Sequence, residues 1–207
     1  MASIEIRPGP ITTRAAADYP LTARGTKELG MYAENLSGRF AERNYNGKVF
    51  SFSRAAVTVP VNAATLVSVC GIYNPPGSGI VLEILETVVG LALATTVVQS
   101  FVWVSSTVSA SSLATFTTLG TARSCRMQDT TGSTARVYSA VTHSGTPDVE
   151  DNIGSFAKVT SDLPFPAKKH DGMLMIPPGV LASIATLTAA STTSGINLHF
   201  KWAEVPA

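Results

Sequence analysis

At 207 residues the chain is long enough for one domain with a sizeable core and an appended arm. Fifteen Lys and Arg oppose fourteen Asp and Glu, and this +1 balance argues against both nucleic acid and an anionic membrane as partner. Only 14% of residues are charged, against about 25% in typical soluble domains, while Ala, Ser and Thr supply 71 residues; such a surface suits faces covered by neighbouring subunits, or a secreted, weakly charged β-protein.

The N-terminus, MASIEIRPGPITTRAAADYP, has no apolar run of the kind a signal peptide needs. Asn35-Leu36-Ser37 fits a glycosylation sequon, and without a secretion signal it reads as chance. Residues 1–47 carry six Lys/Arg and five Asp/Glu with scattered Gly and Pro and little periodic hydrophobicity. A short helix over 26–34 is one reading of this region; the better one is an extended arm that orders only against a partner. Asn46-Gly47 is a turn signal, and the domain is expected to span 48–207.

Short strand candidates follow. They are KVFSFSR (48–54), with Phe50 and Phe52 on one phase, AVTVPV (56–61) and TLVSVCGIY (65–73). The turn NPPGSG (74–79) then opens 25 residues whose only charges are Glu83 and Glu86. A membrane span is disfavoured: the least charged window, 87–104, contains Thr87, Gly90, Thr95, Thr96 and Gln99 and lacks flanking Lys or Arg. A buried helix is disfavoured by the Val- and Thr-rich second half. The stretch reads as two core strands with a bend near Gly90. Glu83 and Glu86, three residues apart, are expected to point to opposite faces.

A further strand is expected within 113–128 and another over 135–143, followed by an acidic loop, SGTPDVEDNIG. HDGMLMIPPGVLASIATLTAAS gives a strand, a Pro177-Pro178-Gly179 turn and a second strand. That turn repeats Pro75-Pro76-Gly77, as though two equivalent hairpins were capped alike. GINLHFKWAEV (195–205) alternates most cleanly, with Ile196, Leu198, Phe200 and Trp202 on one face and Asn197, His199 and Lys201 on the other. Some eight strands without intervening helices predict an all-β fold: a single antiparallel β-sandwich or jelly-roll-like domain with an extended N-terminal arm.

Motifs for chemistry are sparse. The chain has no G-x-S-x-G, Walker A, H-E-x-x-H or C-x-x-C sequence, and no catalytic residue, cofactor site or metal site is assigned. His143, His170 and His199 are scattered, and His199 reads as a solvated strand residue. Lys168, Lys169, His170 and Asp171 read as a solvated turn; a His-Asp pair there would need a nucleophile the sequence does not place. Asp148, Glu150, Asp151 and Asn152 offer oxygen donors for Ca²⁺, but not at EF-hand spacing, so a plain acidic loop is the default. Trp103 and Trp202 sit in apolar strands and read as core. Cys70 and Cys125 are far apart in the chain and read as free thiols.

FSFSRAAVTVPVNAATLVSVCGIYNPPGSGIVLEI, together with the ending GMLMIPPGVLASIATLTAASTTSGINLHFKWAEVP, resembles small β-sandwich structural proteins of tailed bacteriophages. The shared pattern is an N-P-x-G-S-G turn after a Gly-hydrophobic-Tyr strand end, then a late Pro-Gly hairpin before a last strand with Trp-x-Glu. It covers about 50–207 and leaves the arm outside. The resemblance implies a non-enzymatic virion component: a capsid decoration (cement) protein, commonly a homotrimer, whose partners are itself and the major capsid protein or other virion proteins. A head- or tail-fibre module recognising a host-surface glycan is the alternative. An all-β enzyme such as a depolymerase ranks third, because paired carboxylates in a groove are not evident.

Overall fold

The computed structural model describes residues 24–25, 31–32, 43–44, 46–59, 66–92, 99–107, 117–120, 122–127, 129, 132–139, 141–143, 145–156, 167–187 and 194–207. Its strands are β1 (Arg24–Gly25), β2 (Met31–Tyr32), β3 (Val49–Val59), β4 (Val67–Tyr73), β5 (Ile80–Leu91), β6 (Gln99–Thr107), β7 (Thr117–Gly120), β8 (Arg123–Ser124), β9 (Arg136–Ser139), β10 (Asp148–Phe156), β11 (Ala167–Ile176), β12 (Val180–Thr186) and β13 (Ser194–Pro206). One sheet has the order β10-β6-β12-β4-β9-β7 and the other β11-β5-β13-β3-β8, with every neighbouring pair antiparallel. The two sheets pack face to face as an all-β sandwich.

One large apolar cluster joins them. Phe50, Phe52, Leu82, Ile84, Leu198, Phe200 and Trp202 come from one sheet and Val69, Ile72, Phe101, Trp103, Val137 and Ile184 from the other. Each such side chain contributes about 1.5–3 kcal/mol on burial. Trp103 meets Phe200 edge-on at 5.8 Å between ring centroids, and Phe200 lies 5.5 Å from Trp202, so an aromatic column runs from β6 to β13. The alternation expected for the last strand holds: Ile196, Leu198, Phe200 and Trp202 are all in this core.

The 80–104 stretch is two strands, and no helix among the described residues is long and apolar enough to cross a membrane. β5 lies in the five-stranded sheet and β6 in the six-stranded one, each flanked by strands on both sides and covered by the opposite sheet on its inner face. Their outer faces are also partly buried, Leu85 against Val49 and Ala203, and Val102 and Val104 against Ala185, which accounts for a near-continuous apolar run.

Several expectations are corrected. Val49–Val59, expected to fall in two strands, forms one, β3, with a register shift against Ile196/Leu198 that breaks the alternation; residues 60 and 61 lie outside the described residues. The 113–128 region holds two short strands in different sheets. Within 26–34, Met31–Tyr32 pair with Arg24–Gly25 as strand rather than forming helix; apart from 43–44 and 46–47, the remainder of the arm expectation lies outside the described residues. The acidic loop is strand from Asp148 onward, and residues 168–172 belong to β11. Both are edge strands whose register slips, β10 at Val149/Asp151 and Asn152/Gly154 and β11 between Lys169 and Leu174. Bulged, charge-bearing edges lose the period-2 signature and resist edge-to-edge pairing.

The two Pro-Pro-Gly turns do match in build, but neither closes a hairpin within a sheet. One carries the chain from β4 to β5 and the other from β11 to β12, so each is a corner between the sheets. Ser78 N–H bonds to Pro75 O at 3.2 Å and Val180 N–H to Pro177 O at 3.3 Å, with φ of 75° at Gly77 and 84° at Gly179. Proline at the second position and positive φ at the third is the type II pattern, which only glycine fills without strain.

Candidate functional site

The two sandwich corners meet at Asn74, which is fully buried. Its Nδ2 donates to Ile80 O at 2.8 Å and to Ile176 O at 2.9 Å, and its Oδ1 accepts from Ser78 Oγ at 2.8 Å. Its backbone adds bonds to Val180 O and from Gly179 N–H. One side chain therefore satisfies both turns and ties four strand ends together. At the far end of β13, Glu204 Oε1 accepts from Ser133 Oγ and from the N–H and hydroxyl of Thr134, while Trp202 Nε1 donates to Ser133 Oγ at 3.3 Å. The Trp-x-Glu of the last strand thus fastens the 133–134 segment.

The richest cluster of functional groups lies where the edge strands β10 and β11 face each other. Trp103 Nε1 donates to Thr87 Oγ1 at 3.1 Å, Thr87 Oγ1 lies 3.0 Å from His170 Nε2, and His170 Nδ1 lies 2.8 Å from Asp151 Oδ2. Lys168 Nζ caps the chain, 2.5 Å from Asp151 Oδ1 and 2.5 Å from Asn152 O. A carboxylate at Asp151 accepts from Nδ1–H; in the neutral imidazole Nε2 then accepts from the Thr87 hydroxyl, whose oxygen accepts from the indole N–H, a donor only. The β11 bulge makes this possible. Four residues, 170–173, oppose the single Leu85 on β5, and φ of 82° at Gly172 lets the strand recover after His170 has turned inward, 3% exposed.

The order Thr87, His170, Asp151 repeats that of a nucleophile-base-acid triad. Yet Thr87 is fully buried, so no substrate carbonyl has a path to Oγ1 in this arrangement. As it stands, the cluster joins β6, β5, β11 and β10 across the interior. Asp151 is the carboxylate described beside His170; the side chain of Asp171, the partner weighed from sequence, lies outside the described residues. The sequence held no signal for this, because 19 residues separate the two groups.

Beside the cluster is a cleft of about 230 Å³ lined by Trp103, Val104, Glu150, Met173, Met175 and Val180, among others. Two of its lining residues are apolar and exposed, Met173 at 91% and Met175 at 56%. Glu150 accepts a hydrogen bond from Ser105 there. Asp148, Glu150, Asp151 and Asn152 are thus distributed along a strand rather than folded round a cation. Among the described residues no three His, Cys, Asp or Glu side chains gather in a way that would hold a metal ion.

On the outer face of the five-stranded sheet, Glu83 and Glu86 share a face. Glu83 is cross-strand from Ala203 and Glu86 from Lys201, with a register shift at the intervening Leu85. The bulge adds one residue and restores the phase, which corrects the opposite-face expectation. Glu83 is buried against Arg43, which brings the N-terminal segment onto this face. Glu86 pairs with Lys201 at 2.9 Å, and that hydrogen bond holds its carboxyl below the ordinary range. His199, half-buried beside it, is pushed down by burial and by Lys201.

On the opposite outer face, His143 bridges strands, with Nδ1 2.6 Å from Ser106 Oγ and Nε2 2.6 Å from Ser183 Oγ; Ser183 continues to Ser68 at 2.7 Å. Burial lowers the His143 pKa. Both tryptophans are in the core, as expected. Cys70 and Cys125 are free, the former in the interior with its thiol pushed up to about 12 by burial, the latter on the outer face of the five-stranded sheet.

No family model, curated protein or solved structure matches the chain.

Proposed function

We propose that this protein is a non-enzymatic virion structural protein that binds the capsid surface and stabilises it, assembling as a homotrimer through its sandwich faces and its N-terminal arm on the major capsid protein. The observation that carries the reading is the anchoring of the N-terminal segment. Arg43 pairs with the buried Glu83 on an outer sheet face, so everything before residue 43 departs from a fixed point on a charge-poor sandwich. A segment tethered in this way can wrap a large surface on a neighbour. The resemblance to phage β-sandwich proteins names the kind of neighbour. Burial of Trp103 and Trp202 removes the stacking platform that a glycan-binding fibre module would be expected to offer.

The test is light scattering after size exclusion, followed by co-sedimentation with emptied capsid shells of tailed phages. Three times the mass of one chain, together with saturable binding to shells, is the expected outcome. A monomer at every concentration that ignores all shells overturns the proposal.

A further inference from the structure

The edge strands β10 and β11 belong to different sheets, so no backbone ladder joins them. Lys168 and Asp151 bridge that gap. Lys168 Nζ lies 2.5 Å from Asp151 Oδ1 and 2.5 Å from Asn152 O, while Asp151 Oδ2 is held 2.8 Å from His170 Nδ1. Register slips bring the three side chains together: β10 slips on either side of 151–152, and β11 slips immediately after Lys169. The imidazole is 1% exposed, against 33% for the Lys168 side chain and 28% for that of Asp151. A surface ion pair needs only two charges within reach. Here one carboxyl oxygen meets the amine and the other meets a fixed N–H donor, which is the arrangement acyl transfer requires.

We propose that Lys168 and Asp151 condense into an intramolecular isopeptide bond, a covalent staple between the two sheets that the chain forms by itself. A proton passes from Nζ to Oδ1 along their contact, leaving an amine and a carboxylic acid. Nζ stands on a flexible four-carbon stem, so it can move from the edge of the carboxyl to its face while Oδ2 stays on the imidazole. Its lone pair forms the Nζ–Cγ bond as the π electrons of the carbonyl shift onto Oδ2, where Nδ1–H stabilises the negative charge. The nitrogen gives a second proton to Oδ1. The Cγ–Oδ1 bond then breaks, the pair on Oδ2 re-forms the carbonyl, and Oδ1 leaves as water. Nζ keeps one proton, directed to Asn152 O. Both reactants are in the fold, so no co-reactant is consumed and nothing turns over.

His170 suits this role because its ring is held from behind. Thr87 Oγ1 sits 3.0 Å from Nε2 and is itself held at 3.1 Å by Trp103 Nε1, so Nδ1 stays aimed at Oδ2. Proximity supplies the rest, since well-oriented groups in one molecule react at effective concentrations that reach about 10⁵–10⁸ M. The amide preserves the network, because its oxygen still accepts from Nδ1–H. It ties together residues 17 apart in the chain, so β10 and β11 stay joined even when the sheets part. The staple does not depend on the virion reading.

The experiment is intact-mass spectrometry of the full chain, followed by a tryptic map. The chain should weigh one water less than its sequence requires, about 18 Da. Peptides 137–158 and 159–169 should appear as one joined species, uncut after Lys168, whose fragments place the link between Asp151 and Lys168. Lys168→Arg keeps the cation but not the amine, and Asp151→Ala removes the carboxyl. Both variants should restore the full mass and release the two peptides, with circular dichroism confirming the fold. Full mass in the parent protein, with trypsin cutting after Lys168, overturns the proposal. A water deficit that survives Lys168→Arg, or that maps within one peptide, overturns it too, since a cyclised aspartate such as Asp171 before Gly172 loses the same mass.

Discussion

His170 Nδ1 faces Asp151 Oδ2 at 2.8 Å, and this contact closes the interior where the two sheets part company at β10 and β11. Because Thr87 lies behind it, losing the imidazole strands the Thr87 hydroxyl in a dry interior, while Trp103 Nε1 keeps its acceptor, Thr87 Oγ1. A buried polar group left without a partner costs about 1–3 kcal/mol. His170→Ala is therefore expected to lower stability by about 2–4 kcal/mol in urea unfolding, cavity included. Amide exchange should accelerate first in β10 and β11. A variant as stable as the parent, with unchanged exchange at that edge, would show that the chain of bonds holds nothing.

Asn74 is expected to be the least replaceable polar side chain in the fold. Its Nδ2 donates to carbonyls 6 and 102 residues away, so the amide is read by both corners at once. Asn74→Asp keeps the shape but points a carboxylate oxygen at two carbonyl oxygens; it should cost more than Asn74→Ala, about 3 kcal/mol or above. Thermal unfolding of the two variants checks the order. If the Asp variant is the milder, the amide is not donating as described.

Gly71 is small for a reason outside its own strand. A Cβ built there would lie 2.9 Å from both Cγ atoms of Val141 and 3.3 Å from Leu181 Cδ1. Gly71→Ala must push residues 141–143 off the sheet, at about 1–3 kcal/mol for overpacking. Val141→Ala removes the obstructing methyls, so the double variant should be more stable than the sum of the single changes predicts. Simple additivity would mean that the strap yields without resistance.

How far the sequence could be read depended on whether the chemistry was local. Trp202 and Phe200 were legible, because strict alternation on β13 has a single solution. The corner turns were legible as turns, since Pro-Pro-Gly fixes its own geometry, but not as corners, because the partner of each lies a hundred residues away through Asn74. Glu83 and Glu86 were misread for one reason: the extra residue at Leu85 is a tertiary adjustment with no local signature. The same holds for Asp148 to Asn152, where charge and bulges disguised an edge strand as a loop. The Thr87-His170-Asp151 chain was invisible, since three strands from both sheets contribute one group each.

Acidification should weaken the fold in two stages of the same sign. His143 and His199 both titrate below their ordinary 6.5 in the folded protein, chiefly through burial, with Lys201 adding to the effect at His199. Their unfolded counterparts take up protons first as pH falls, so the stability they contribute is complete above 6.5 and drains away below it. Glu86, held below its ordinary 4.5 by the Lys201 hydrogen bond, contributes above 4.5 and is lost only at lower pH. Urea midpoints measured between about pH 7.5 and about 5.5 isolate the histidine stage, because unperturbed carboxylates titrate below that range. The midpoint should decline across it, and His143→Gln with His199→Gln should flatten the decline while leaving the drop below 4.5 intact. Gln keeps an amide that can bridge Ser106 and Ser183 without a titrating proton, so the flattening reports charge rather than lost packing. A decline as steep in the double variant as in the parent, with His170 and its Asp151 partner present in both, would show that His143 and His199 do not carry it.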